Sequence, residues 1–588
     1  MSEHRNMILA IVLSAIVLFG WGYVTETWFP TANPPSTKIV DGKQVAVPKP
    51  GADPAADGPA AVAARRTAIR TTPRIPIETP RLRGSLALRG ASIDDLVLTT
   101  HRQSLAKDSP PIRLLSPAGS KEAYFASFGW TGAEGRVPGP DTLWTADGGK
   151  LTPDSPVRLS WDNGQGQRYE ITLAVDDGYM FTVTQRVANV SAGDFAAQPY
   201  SLISRARPSA DPDSWTMHVG AVGVFNGAAN YDWGYEDLTE SGDQNFRSDG
   251  GWLGFSDKYW LTALVPDQAS TVDAKLRRGL SGGFQADFAP APAIAAPGKA
   301  ITYQSRFFAG AKEIDLLERY QDAGIAKFDK AIDWGWFEWF MRPIFSLLNW
   351  LYAMIGNFGV AIICLTLIVR LLMFPIAQKQ FRSFAAMRVL QPKMKVLQER
   401  YKDDKPKLQQ EMLKLYQEEK VNPMAGCLPI LIQIPIFYAL YKVLMLAVEM
   451  RHKPFALWIK DLSAPDPLTP VNLFGFLPFQ PPSFLAIGVL PILLGITMWL
   501  QFKLNPPPAD PVQKQVFGLM PWVLMVIMAP FAAGLQLYWT VNNILTILQQ
   551  KWLYSRHPGM KAAEAAPEPE PATAPAAPAA PAGRKKKK

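Results

Sequence analysis

The sequence predicts a polytopic α-helical membrane protein of six spans, with an all-β sandwich domain carried on the outer side. Three observations lead there. Apolar runs cluster at the extreme N-terminus and after residue 330. Short alternating runs fill the stretch from about 81 to 308. A basic segment from Ala377 to Pro423 lies between two apolar runs, and such a loop belongs in the cytoplasm by the positive-inside rule. The chain has 588 residues and a net charge of +9, long enough for more than one folding unit. Its two cysteines, Cys364 and Cys427, are too far apart in sequence and topology for a disulfide framework. Five histidines without a Cys/His cluster point to no metal. No Gly-x-x-x-x-Gly-Lys-Ser/Thr occurs, and no cofactor is expected.

Residues 1–28 form the first span. Asn6–Val24 is apolar behind Met1-Ser-Glu-His-Arg5, and the following Trp21-Gly-Tyr-Val-Thr-Glu-Thr-Trp28 lacks a small-x-small cleavage site. This reads as an uncleaved anchor, N-terminus inside, with Trp21, Tyr23 and Trp28 at the outer headgroups. Residues 29–80 have the Pro/Ala-rich composition of an extended linker. From 81 to 310 the pattern is that of strands. Leu82, Leu86 and Leu88 alternate with polar residues; so do Ile171, Leu173 and Val175, and then Phe181, Val183, Gln185 and Val187 beyond the turn Asp176-Asp177-Gly178. Paired alternation about an Asp-Gly turn predicts a β-hairpin. Asp232, Glu236 and Asp237 are either ligand-binding or plain loop carboxylates.

Residues 311–357 hold a helix at Lys312–Gln321 and a Trp-rich segment, Asp333–Tyr352, interrupted by Glu338, Arg342 and Pro343. Such a segment suits the interfacial plane. Topology agrees: one span must separate an outer β domain from an inner basic loop, and the next apolar run, Gly359–Ala377, supplies it. The loop itself, residues 378–423, reads as a helical hairpin. Phe381–Tyr401 is followed by a helix opened by Pro406 and running to Lys420, with Met387, Leu390, Met394 and Leu397 facing Leu408, Met412, Leu415 and Tyr416. Leu428–Val448 and Phe484–Phe502 are the third and fourth spans. Val516–Leu553 is broken at Pro530-Phe-Ala-Ala-Gly534 and has basic residues at both ends, which makes it a hairpin of two spans. Residues 557–588 are an Ala/Pro-rich cytoplasmic tail with a basic tip.

One residue in this layout is out of place. Arg370 stands about 11 residues, or ~16 Å, into the second span, where a charge costs ~2.5–3.5 kcal/mol on insertion scales. It either snorkels to the headgroups or faces water or protein, and a functional site is the default reading. Thr366 lies one turn earlier on the same face. Gln433, Thr497, Gln501, Gln536, Tyr538, Trp539, Thr540, Asn542, Asn543, Thr546 and Gln549 add polar groups on later spans. Apart from Lys442, which can snorkel at the outer end of the third span, no second charge is buried in the spans. A proton-coupled pump would be expected to carry an Asp, Glu or His there. A lone cation among amides suits an acidic or polar polypeptide segment better than a cation.

The runs Ile368-Val-Arg370, Met387-Arg-Val-Leu-Gln391-Pro392-Lys393, Glu418-Glu-Lys-Val421-Asn422-Pro423, Gly426-Cys427-Leu-Pro429-Ile-Leu-Ile-Gln433-Ile-Pro435-Ile-Phe437 and Pro454-Phe-Ala-Leu-Trp458-Ile resemble the YidC-type membrane protein insertases, bacterial members of the Oxa family. The match covers about 333–556 and extends more loosely through the β domain. The resemblance implies a five-helix insertase core over 358–556, forming a positively charged hydrophilic groove open to cytoplasm and lipid. It implies a periplasmic β-supersandwich and a cytoplasmic hairpin, with Arg388, Gln391, Pro392 and Lys393, needed for activity. Arg370 would be the groove arginine, and Thr366 and Trp539 would occupy substrate-contacting positions. Many relatives have Tyr where Trp539 stands. Gln433, Tyr538, Asn543 and Gln501 complete the expected lining. The tip Arg584, Lys585, Lys586, Lys587 and Lys588 resembles ribosome-binding tails.

The expected protein is therefore a non-enzymatic insertase and chaperone of the bacterial inner membrane, both termini cytoplasmic. Its expected partners are nascent membrane proteins, the lipid bilayer, the Sec translocon and the ribosome, with no DNA. The alternative is a small-solute or ion transporter, which needs a path open at both faces. A third class, a carbohydrate-processing β domain on an anchor, leaves Arg370 without a role.

Overall fold

The computed structural model describes residues 37–40, 43–46, 59–132, 137–211, 217–279, 282–401, 404–419, 428–477, 486–505 and 511–556. The expected N-terminal span, the motif residues 420–427 and the tail with Arg584–Lys588 lie outside the described residues.

Two antiparallel sheets form the β domain. One runs, in spatial order, through strands 228–234, 220–225, 252–256, 260–265, 300–311, 180–189, 167–175, 157–162 and 145–147; the other through 244–249, 271–278, 284–290, 195–205, 124–131, 92–102, 82–87 and 74–78. The hairpin expected at Asp176–Gly178 is present, pairing Val175 with Phe181, Leu173 with Val183 and Ile171 with Gln185. Inward residues bury the space between the sheets. Phe128 and Phe307 meet edge to face across it at 6.1 Å. Gln185, the polar member of its alternating run, is buried and donates Nε2 to the Gly129 carbonyl of the opposite sheet at 2.7 Å. That bond offsets the cost of burying the amide nitrogen, while the amide oxygen is buried without a described partner.

The domain starts earlier than expected. Strand Arg74–Glu78 pairs with Leu82–Ala87 and buries Ile75 and Ile77. Helix α1, Pro59–Arg70, precedes it. The 29–80 segment is thus no continuous linker: its alanines, the best helix formers, outweigh its prolines over 59–70. Of the three suspect carboxylates, Asp237 and Asp232 bond locally. Asp237 caps the Gly234 N–H at 2.9 Å and so opens helix α2, Tyr235–Ser241. Asp232 accepts from Asn230 at 2.8 Å, and Glu236 lies in the helix's first turn.

Helix α3, Ile314–Asp322, leaves the sandwich through a polar hinge. Glu313 accepts from Tyr179 Oη at 2.8 Å and pairs with Arg81. From the helical core, Glu449 accepts the Ile314 N–H at 2.9 Å. Arg451 donates to the Arg102 and Gln103 carbonyls of the β domain at 2.8 and 3.2 Å. Burial alone would raise the Glu313 pKa, but His101 close by and the hydrogen bonds from Arg81 and Tyr179 outweigh it and hold it down to about 2. The free carboxyl titrates near 4.5, so this stabilisation is complete above that pH and is lost as the pH falls toward about 2. Glu313→Gln is expected to cost about 2 kcal/mol at neutral pH, with the deficit fading on acidification. Coincident acid-unfolding curves for the full-length protein and the variant would contradict this.

Helix α4, Glu338–Ile355, buries Met341, Phe345, Leu348 and Leu351 on one stripe. It leaves Trp339, Trp350 and Met354 exposed, with Trp336 just ahead of it. The charges that interrupted the pattern are paired: Arg342 with Asp329, Glu338 and Glu318, and Lys330 with Glu338. Helices α5, Phe358–Leu372, and α6, Phe374–Arg400, follow. Then come α7, Lys405–Glu418, and α8, Leu428–Leu446. The described residues end in α9, Val489–Leu504, α10, Pro511–Met528, and α11, Ala533–Arg556. The break at Pro530–Gly534 does make two helices. Helices α6 and α7 bury Leu390, Met394 and Met412, with Leu397, Leu408, Leu415 and Tyr416 against them, as the heptad-like spacing predicts. Among the described residues no single helix is long and apolar enough to cross a membrane; the pair Phe358–Leu372 and Phe374–Phe381, bent by 60°, passes together.

Candidate functional site

Arg370 sits in the last turn of α5, beside the bend, not near the middle of a straight span. Pro375 in the first turn of α6 explains the bend, since it supplies no N–H to continue the ladder. The last-turn position sets the cation at the negative end of the α5 dipole.

The guanidinium is held by protein groups. It turns onto α11, donating Nε to Asn542 Oδ1 at 2.7 Å and Nη2 to the Asn542 carbonyl at 3.3 Å and to the Thr546 hydroxyl. Asn542 and Thr546 are one helical turn apart and therefore share a face. Both are buried, while Arg370 keeps partial exposure. Every described partner of the cation is neutral, so no described side chain compensates its charge.

The other expected residues distribute around this contact. Gln433 on α8 donates Nε2 to Tyr538 Oη at 2.5 Å, tying α8 to α11. Trp539, half-buried, meets Phe437 edge-on at 4.8 Å. Asn543 donates to Thr497 Oγ1 on α9 at 3.2 Å. Gln501 is half-exposed on α9. Thr366 differs from the expectation: its side chain is 0% exposed and its hydroxyl bonds back to the Ile362 carbonyl at 2.7 Å. Lys393 pairs with Glu419 across the helical hairpin and Pro392 lies inside α6; the side chains of Arg388 and Gln391 lie outside the described residues.

Two features escaped the sequence reading. Asn542 and Thr546 were visible only as members of a polar run, although their one-turn spacing marks a common face. Lys442 does not snorkel: it is 2% exposed and points at the Asp333 carboxylate, 3.9 Å away, ahead of α4. The two are remote in sequence, so the pairing is a tertiary fact.

The site is thus a partly exposed arginine whose described partners are all neutral, held between the apolar helix α5 and the polar face of α11. Residues 74–347 match the family model of the YidC periplasmic domain, and residues 350–561 that of the 60Kd inner membrane protein. The chain is 48% identical to the membrane protein insertase YidC of Zymomonas mobilis subsp. mobilis over 94% of its own length and 96% of that protein's. It is 41% identical to the insertase of the same name from Bradyrhizobium diazoefficiens, covering 95% and 97% of the two chains. A crystal structure of an active YidC insertase with its first transmembrane domain resolved matches over 84% of this chain and 99% of that one, at 19% identity and a TM-score of 0.36. The chain belongs to the YidC family of membrane protein insertases. It is an inner-membrane protein with a periplasmic domain, and not an enzyme.

Proposed function

We propose that this insertase works through a hydrophilic groove centred on Arg370, lined by Gln433, Gln501, Tyr538, Trp539 and Asn543, with Thr366 behind it. The reading takes six spans with both termini in the cytoplasm. The exposed tryptophans of α4 lie at the outer surface, and the α6–α7 hairpin projects inside. A nascent hydrophobic segment arrives at that hairpin, and its short polar flank enters the groove. There Arg370 and the amides replace water around acidic and polar groups. The apolar segment then slides into lipid along α8 and α11, and the flank is released outward. Burial of apolar surface at ~25 cal/mol per Å² supplies the drive, and the membrane potential adds to it for acidic flanks. The same unit acts alone or beside the Sec translocon, and helps its passengers fold.

The observation that carries this reading is the guanidinium held between α5 and α11 by neutral partners. The test is reconstitution of the purified protein in lipid vesicles with a single-span passenger. Protease protection of the passenger, without flux of small solutes or ions, is the expected outcome; solute flux without insertion would contradict it.

The basic tip Arg584–Lys588 is proposed to hold the ribosome at the membrane. Phosphate contacts made by such a segment weaken steeply with salt. Deleting those five residues is expected to lower ribosome co-sedimentation several-fold at low salt and much less at high salt. Unchanged co-sedimentation would assign the arm another role.

A further inference from the structure

Resting on that reading of the groove, we infer that Asn542, with Thr546, sets the charge selectivity of the insertase by holding Arg370 with neutral acceptors only. A guanidinium offers five N–H donors. The contacts described for Arg370 all fall on Nε and Nη2: the Asn542 side-chain oxygen at 2.7 Å, the Asn542 carbonyl at 3.3 Å and the Thr546 hydroxyl. No described hydrogen bond falls on Nη1. One edge of the cation is therefore pinned to α11 while the other is left for a passenger group.

The pinning groups matter as much as the cation. A long arginine with nothing to hold it would be free to swing toward the headgroups, and its charge would leave the groove. A carboxylate at either pinning position would hold it equally well but would neutralise it in place, because close opposite charges interact strongly where water is scarce. An amide and a hydroxyl do the first without the second. The amide is buried and spends its carbonyl on Nε; the hydroxyl also bonds back to the Asn542 carbonyl at 2.7 Å, which locks the two residues into one support. The other contacts of α11 have a different character. Gln433–Tyr538 and Asn543–Thr497 join neutral group to neutral group between helices, and no cation depends on them.

The substrate class that follows is a passenger whose flank carries a carboxylate able to reach the free edge of Arg370. Neutral flanks use the groove without that contact. Asn542 and Thr546 are positioning residues in this scheme: they act through the arginine and touch no passenger.

The test uses full-length protein in vesicles and two passengers that differ only in the flank, Asp against Asn at the same positions. The readout is the ratio of their insertion rates, which a loss of folding moves little. Asn542→Asp is nearly isosteric and places a carboxylate on Nε. It is expected to reduce insertion of the acidic passenger about tenfold more than that of the neutral one. Thr546→Asp brings the carboxylate to Nη2 and is expected to act in the same direction, which keeps the test open if the first variant does not accumulate. Thr546→Val removes an acceptor without adding charge and is expected to shift the ratio far less than either. If Arg370→Ala lowers the ratio but neither Asp variant does, Asn542 and Thr546 have no part in selectivity and the inference falls while the groove reading stands. If Arg370→Ala itself leaves the ratio unchanged, the groove reading falls with it.

Discussion

Replacing Arg370 by alanine is expected to slow insertion of a passenger with an acidic outer flank by about tenfold or more, while Arg370→Lys loses much less. The magnitude follows from the contact at stake. A charge-assisted hydrogen bond is worth about 1.5–3 kcal/mol net, and each 1.4 kcal/mol is tenfold. Lysine keeps the charge but not the fork. It cannot bridge Asn542 and Thr546 with one edge and present another, because its ammonium is a compact point donor. The residual activity of Arg370→Lys therefore separates the role of charge from that of geometry. Equal insertion by all three proteins, with the vesicles tight and the protein levels matched, would remove Arg370 from the mechanism.

Gln536→Leu is expected to weaken the helical core where α10 turns into α11. Gln536 is fully buried near the start of α11. Its Nε2 donates to the Met528 and Phe531 carbonyls at 2.8 Å each and lies 3.3 Å from that of Ala529. The Met528 carbonyl also accepts the Phe531 N–H at 3.1 Å, so it is the Ala529 and Phe531 carbonyls that depend most on the Gln536 amide. Met528 and Ala529 are buried in protein, and a buried carbonyl left open costs about 1–3 kcal/mol. Leucine fills the space but satisfies none of them; because it also removes the Gln536 amide oxygen, which is buried without a described partner, the net loss is about 2 kcal/mol. Thermal unfolding in detergent micelles, followed by tryptophan fluorescence, is the measurement. A midpoint indistinguishable from that of the unaltered protein would show that the α10–α11 turn satisfies its carbonyls some other way.

How much of this was legible depends on which physical signal an element carries. The β-hairpin Gln167–Asn189 was readable because one face is buried and the other is not, so burial alternates residue by residue. The α6–α7 hairpin was readable for the same reason at helical spacing. The bend after Arg370 was legible in principle, since Pro375 stands there in plain view; the apolar residues on either side obscured it. The direction in which Thr366 faces was not legible. Helix α5 is apolar nearly all round, and periodicity cannot choose a face when none is polar. The same holds for Lys442, whose destination depends on Asp333, a residue brought near only by the packing of α4 on α8. Asn542 and Thr546 lay between these cases: their shared face was readable, but not which helix it would meet. At the N-terminal edge of the sandwich, Ile75 and Ile77 alternate over too few residues to stand out against the proline-rich composition around them.

The central claim is that polar polypeptide passes beside Arg370 on the surface shared by α5, α8 and α11. Site-specific crosslinking tests it most directly. A photoreactive side chain is placed in turn at Thr366, Gln433 and Trp539 of the full-length protein in native membranes, and a ribosome-stalled nascent membrane protein is supplied. Crosslinks are expected from Gln433 and Trp539 to the passenger's flank and apolar segment, and from Thr366 only if the helices part around the passenger. Crosslinks confined to lipid or to neighbouring helices at all three positions, with the passenger inserted all the same, would contradict the account.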